Sequence, residues 1–252
     1  GGAGPRPAGC GISGVVRVSD HPAGTAGAGG RAVGDGSFGR RVLIRGTLVV
    51  GAAAFLGRHA FRETATATAV TGNLSIVDCA TWGARPPDVP LPTMSRRPDR
   101  IIVHHTATGN SPDLSLAAAY AQARGIQDMH MRRNRWGDTG QHFTISRGGY
   151  VLEGRHGSLA DLRAARRPVR GVHCVGQNDR SIGIENVGTY TTVQPPDAQW
   201  RRLIELCAWI CRQYGIDAAH IYGHNTFNAT LCPGVIRQRL PELRRSVGRL
   251  LA

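Results

Sequence analysis

Lysine is absent from this sequence, so its positive charge rests wholly on 31 arginines, set against 17 acidic side chains. A net charge of +14 points toward an anionic partner, and the available classes are nucleic acid, anionic lipid and an anionic cell-wall polymer. The arginine bias accompanies 34 glycines and abundant alanine, as GC-rich coding produces, so charge alone does not establish a binding patch. Aromatic residues are scarce at 6%, and no helix-turn-helix, RNP-like aromatic motif or zinc-finger spacing occurs. No specific nucleic-acid partner is therefore expected. A long hydrophobic run is also missing, because the most apolar stretch, within 37–57, is too short for a comfortable membrane span. With 252 residues and 41% hydrophobic content, the chain can bury one good core, which leaves little room for a second full domain.

Residues 1–36 are glycine-rich, show little aliphatic patterning and do not begin with Met; they read as a disordered leader or a miscalled start. Residues 37–69 follow as a twin-arginine export segment. Arg40 and Arg41 precede its apolar stretch, and ETATATAV (63–70) offers Ala-x-Ala cleavage sites after Ala67 or Ala69. A secreted or wall-located protein is the expectation, with residues 70–252 as its mature domain and no stable membrane span in that form.

From Ile76 onward short strands alternate with helices. RIIVHHT (100–106), HFTIS (142–146), YVLE (150–153) and SIGIENV (181–187) read as strands, the first and last being central. Residues 114–133 and 197–215 carry apolar side chains at helical spacing; Asp197 is the expected N-cap of the second and Gly215 its C-cap. A last helix spans about 235–251. The expected fold class is α/β, with a mixed central β-sheet flanked by helices.

Two distant segments carry candidate chemistry. IIVHHTATGN (101–110) delivers His104 and His105 from a strand, and GHNTFNATLCPG (223–234) supplies His224 and Cys232 with seven residues between them. Two imidazoles and a thiolate suit a zinc ion (Zn2+) whose fourth position stays open for water. Strand geometry cannot choose between His104 and His105, since neighbours on a strand face opposite ways. Setting aside Cys10 in the leader and Cys232, an even number of cysteines remains: Cys79, Cys174, Cys207 and Cys211. Cys207 and Cys211 share a helix face and bridge poorly to each other, so the expected disulfides pair each of them with Cys79 or Cys174. Four reduced buried thiols are the competing reading, and a structural zinc site fits these spacings poorly.

The segments from Trp82 to Gly234 resemble the zinc-dependent N-acetylmuramoyl-L-alanine amidases of the type 2 group, which includes animal peptidoglycan recognition proteins. The resemblance is carried by TWGARPP (81–87), IIVHHTAT (101–108), IQDMHM (126–131), WGDTGQHFTISRGGYVLEGR (136–155), GVHC (171–174), SIGIENVGTY (181–190) and YGHNTFNATLCPG (222–234). It implies His104, His224 and Cys232 as metal ligands. Where many relatives carry a catalytic tyrosine this chain has Gln141, which cannot exchange a proton. Glu185 stands where other members carry a catalytic glutamate, suited to accept a proton from water and pass it to the leaving amine; its alternative is to orient a ligating histidine. Thr230 is a candidate donor to the developing oxyanion, or a brace for the Cys232 loop. His173 is a candidate substrate contact. Asn186 is a further substrate-binding candidate beside its reading as a packing residue, as are His105, Trp82 and Arg85 for packing; His130 and His142 read as structural.

The resemblance implies cleavage of the bond between N-acetylmuramic acid and L-alanine in peptidoglycan by a monomer. The rival is a recognition protein that holds muropeptides without cutting them, and retention of all three ligands speaks for the enzyme.

Overall fold

The computed structural model describes residues 74–252. The leader, the twin-arginine segment and Cys10 lie outside the described residues. Eleven elements position the site: β1 (Ile76–Val77), α1 (Cys79–Trp82), β2 (Arg100–His105), α2 (Leu116–Asp128), β3 (Phe143–Ile145), β4 (Val151–Glu153), α3 (Ser158–Arg163), β5 (Ser181–Asn186), α4 (Asp197–Tyr214), β6 (Ile221–Gly223) and α5 (Leu240–Leu251). The strands form one sheet in the order β1-β4-β3-β5-β2-β6, parallel except where β3 meets β4. This is the mixed sheet expected. The central strands β5 and β2 are buried apolar runs, as strands covered on both faces require.

Residue parity divides the sheet into two faces. Ile101, Val103, Phe143, Ile145, Ile182 and Ile184 join a core with α4 and α5, while Leu152 packs with Cys79, Trp82, Ala119 and Ala123 of α1 and α2. Leu152 pairs with Thr144, Thr144 with Glu185, and Glu185 with His104, so these four form one row across the sheet on the second face. Helices α1 and α2 cover the Leu152 end of that row. The His104 end is left for the site.

Helix α4 buries Trp200, Leu203, Cys207, Ile210, Cys211 and Tyr214 against the sheet, the three-and-four spacing of an amphipathic helix. Leu203 is fully buried, so Leu203→Ala costs about 2–5 kcal/mol through lost burial and a cavity. Its N-cap is Pro196 and not Asp197, which is the first helical residue and places its carboxylate at the positive end of the helix dipole. Gly215 ends the helix in the left-handed conformation at φ 69°, as expected. Helix α2 runs into a π-helical turn, Met129–Arg133, which buries His130 and Met131.

The expected disulfides are not formed: Cys79, Cys174, Cys207, Cys211 and Cys232 are all free thiols. The sheet itself separates the partners. Cys79 lies in the α1/α2 cluster with its sulfur 3.5 Å from the Gly154 carbonyl oxygen, whereas Cys207 and Cys211 lie in the core on the opposite face. A disulfide needs Cα atoms within about 7 Å, which residues on opposite faces of a sheet do not achieve. Among the described residues no helix is long and apolar enough to cross a membrane.

Candidate metal centre and active site

Strand β2 carries His104, 2% exposed, one residue before its end, and the loop after β6 brings His224 and Cys232 against it. The ligand atoms of these three residues lie within 4.8 Å of one another. Sheet register, set by the packed face of Leu152, is what turns His104 and not His105 toward the site. His105 faces the other way, where its Nδ1 accepts the Tyr190 backbone N–H at 3.1 Å. Its own backbone N–H points to the Cys232 sulfur at 3.3 Å.

Gly234 closes the Cys232 loop. A Cβ there would sit 2.0 Å from the Tyr190 carbonyl oxygen, and its φ of +66° also disfavours any side chain. That close approach lets Val235 N–H donate to the Tyr190 oxygen at 2.7 Å and fixes the loop to the end of β5.

Each imidazole is held from behind. His104 Nε2 lies 3.1 Å from His173 Nδ1, and His173 Nε2 lies 3.4 Å from the Ser181 carbonyl oxygen. A single proton assignment satisfies this chain: His173 donates to Ser181, His104 donates to His173, and His104 Nδ1 keeps a lone pair facing Cys232 Sγ at 3.7 Å. His224 Nε2 is 3.0 Å from Asn228 Oδ1, which also accepts from the Cys174 thiol at 3.2 Å. Gly183 makes the first clamp possible, since a Cβ on it would meet the His173 ring at 2.5 Å.

Electrostatics match a cation site. Burial, reinforced by the neighbouring imidazoles, holds His104 well below the usual histidine range, and burial lowers His224 as well; both are therefore neutral, the ligating form. Burial pushes the Cys232 thiol far up. Ionising that thiol in place therefore calls for a positive charge beside it, and the sulfur already accepts one N–H from His105. The donor set thus fits zinc, which takes imidazole nitrogen and thiolate together.

Glu185 stands beside His104 in register on the same face and is partly exposed. Burial of the carboxyl among protein atoms raises it to about 7, and no hydrogen bond ties it to another described residue. The groups that meet the rings of the two candidate ligands are His173 and Asn228. Thr230 is exposed, and its Oγ1 accepts the Cys232 N–H at 3.2 Å, the bracing role, while its hydroxyl proton stays free to donate. Gln141 is buried and donates to Thr144 Oγ1 at 2.8 Å.

The two residues expected to touch substrate both meet protein partners. Asn186 is 1% exposed on the opposite face from Glu185, and its Nδ2 holds the His104 carbonyl oxygen at 2.9 Å, so it is a packing residue. His173 is partly exposed, and both its ring nitrogens are turned to protein partners, Nδ1 toward His104. His130 and His142 are structural as expected: His130 Nδ1 accepts the Gly140 N–H at 3.1 Å and His142 Nδ1 accepts the Gly183 N–H at 3.0 Å. Sequence reasoning assigns Asn228 no role and Cys174 only that of a disulfide partner. Asn228 stands four residues after His224, a spacing that signals a local partner only once the loop is known to be helical there.

The profile of the N-acetylmuramoyl-L-alanine amidase family matches residues 94–235, more than half of the chain. Peptidoglycan-recognition protein SC2 of Drosophila melanogaster is 32% identical over 169 residues, 67% of this chain and 84% of that protein. The human N-acetylmuramoyl-L-alanine amidase is 31% identical over 137 residues, 53% of this chain but 22% of that protein. Among solved structures, the ectodomain complex of peptidoglycan recognition proteins LCa and LCx bound to tracheal cytotoxin superposes with a TM-score of 0.55 at 29% identity, covering 63% of this chain and 89% of that one. With the fold, the ordered motifs and the His/His/Cys cluster in agreement, the chain belongs to the N-acetylmuramoyl-L-alanine amidase family.

Proposed function

We propose that this protein is a zinc-dependent amidase that hydrolyses the bond between N-acetylmuramic acid and L-alanine in peptidoglycan. The observation that carries the reading is Glu185: a carboxyl with no hydrogen-bond partner among the described residues, raised to about 7, in register with one member of the intact His104/His224/Cys232 set. Zinc, when bound, supplies Lewis acidity for the amide carbonyl and lowers the pKa of water. His104, His224 and Cys232 would hold it, with His173 and Asn228 fixing the two rings. Glu185 is suited to take the proton from the attacking water and return it to the leaving amine, since its carboxyl titrates near the operating range. The free hydroxyl proton of Thr230 is available to the oxygen that gains charge.

A muropeptide as ligand is supported by the relatives LCa and LCx, whose structure holds tracheal cytotoxin. Action outside the cell, by a monomer carried through the twin-arginine segment 37–69, belongs to the same proposal and rests on Arg40 and Arg41 ahead of an apolar run. A second reading, recognition without cleavage, is favoured by Gln141 in place of a tyrosine. Incubating the purified protein with peptidoglycan, with and without a chelator, separates the two: new L-alanine amino termini seen by mass spectrometry are expected only without chelator. Binding with no new termini would establish the second reading.

A further inference from the structure

The segment 92–97 runs antiparallel to 166–170: Thr93 bridges Val169, Met94 N–H donates to the Pro168 oxygen at 2.8 Å, and Arg170 N–H donates to the Pro92 oxygen at 2.7 Å. This pairing gathers arginines that are far apart in sequence. Arg167 donates to the Ser95 oxygen at 3.2 Å, Arg97 to the Gln213 oxygen at 3.2 Å, and Gln213 in turn donates to the Leu162 oxygen at 2.9 Å and the Arg163 oxygen at 3.3 Å. Arg96, Arg97, Arg163, Arg166 and Arg167 are all exposed. The carboxylates that meet this surface are Asp161, paired with Arg166 at 3.3 Å, Asp99, shared by Arg96, Arg100 and Arg180, and Asp78, which feels the charge of Arg163. Seven guanidinium groups against three carboxylates leave an excess of four positive charges.

The place and chemistry of this face matter. It lies where β2 and β5 begin, at Arg100 and Ser181, whereas His104 and Glu185 stand four residues further on, about 13 Å away at ~3.3 Å per residue. A long chain held there does not need to cover His104 or Glu185. Backbone carbonyls already anchor Arg97 and Arg167 through one N–H each, so their remaining donors are partly preorganised for phosphate oxygens. None of the exposed large apolar side chains of the described residues lies in the patch, which is a poor match to a membrane surface. Tyr214 is buried beneath Arg97, and the half-buried Tyr222 and Phe227 lie under Arg100 at the rim, so the part of the face built by Arg96, Arg97, Arg166 and Arg167 offers bases no stacking platform.

We propose that this arginine face binds a flexible phosphodiester polymer of the cell wall, independently of the cleft. The full-length protein is titrated with a fluorescein-labelled poly(glycerol phosphate) chain across a potassium chloride series, beside two charge-matched variants. One replaces Arg96, Arg97, Arg166 and Arg167 with Gln; the other replaces Arg201, Arg237, Arg245 and Arg249, exposed arginines outside the patch. The first variant binds at least about tenfold more weakly with a shallower salt dependence, because every guanidinium removed leaves one phosphate with its counterion still condensed. The second stays within about twofold of the parent. Equal weakening in both variants would mean that overall charge alone binds, and would overturn the assignment. Tighter, patch-dependent binding of single-stranded DNA or of phosphatidylglycerol vesicles would overturn it in favour of those partners. Should the quadruple variant misfold, Arg166→Gln with Arg167→Gln serves instead, and unchanged binding by that pair overturns the proposal. These measurements involve no peptidoglycan and no turnover, so they stand or fall apart from the amidase chemistry.

Discussion

His173 holds His104 by a hydrogen bond of 3.1 Å between Nδ1 and Nε2, across 69 residues of chain, and so selects which nitrogen of His104 faces the Cys232 sulfur. An outer partner of this kind fixes both ring orientation and tautomer. His173→Ala is expected to keep the fold and weaken zinc about 10–100-fold, read by competition with a chromophoric chelator. Unchanged affinity would remove His173 from this role.

Cys232→Ser replaces a soft sulfur ligand by a hydroxyl, and zinc content by elemental analysis of the purified protein should drop sharply. His105→Ala should behave differently. It deletes the acceptor for the Tyr190 N–H but not the backbone N–H that reaches Cys232, so metal stays while stability falls by about 1–3 kcal/mol in urea unfolding. Loss of metal from the His105 variant with retention in His104→Ala would exchange the two assignments.

Glu185→Gln keeps the shape and removes the base. Zinc content and folding should match the parent, while amide hydrolysis drops by about two to four orders of magnitude. Gln141→Ala, which breaks a hydrogen bond to Thr144 and no proton pathway, should cost far less. A zinc-loaded Glu185→Gln protein as active as the parent would leave the proton transfer to another group.

Asp138, completely buried, accepts from the His156 backbone N–H at 2.9 Å and lies 3.0 Å from His156 Nδ1. The Asp138 hydrogen bond raises His156 above its ordinary value of 6.5. Burial pushes Asp138 up, but bonds from His156, Gln127 and Thr139 outweigh it and leave Asp138 below its ordinary value of 3.8. A raised histidine stabilises the fold fully below its unfolded pKa and loses that contribution as pH rises through the folded one. The thermal midpoint should therefore decline above about pH 6.5 through this pair, and His156→Ala should flatten that decline. Melting curves of both proteins across pH, with equal slopes as the contrary result, decide it.

Much of this was legible in one dimension. The β-branched run at 101–103 and the isoleucines Ile182 and Ile184 marked the central strands, and the apolar stripe from Trp200 to Cys211 marked the core face of α4. Those signals are local, because strand and helix periods repeat within a few residues. The short edge strands β1 and β6 and the brief helices α1 and α3 were not legible, since runs of two to six residues carry no period.

Residue order alone dictates the side-chain types that gather at the site: two histidines and a cysteine in ordered motifs, a glutamate on the central strand, and no tyrosine at 141. How they are used is settled by the folded arrangement. Sheet register chose His104 over His105 and turned Asn186 to the packed face, while a distant segment brought His173 to His104, the turn after β6 brought Asn228 to His224, and the sheet kept Cys79 apart from Cys207 and Cys211. Each of these outcomes depends on which face of a sheet a side chain takes and on what a distant segment presents there. A strand inverts its faces at every residue, so that information exists only once the neighbouring strands have set the register.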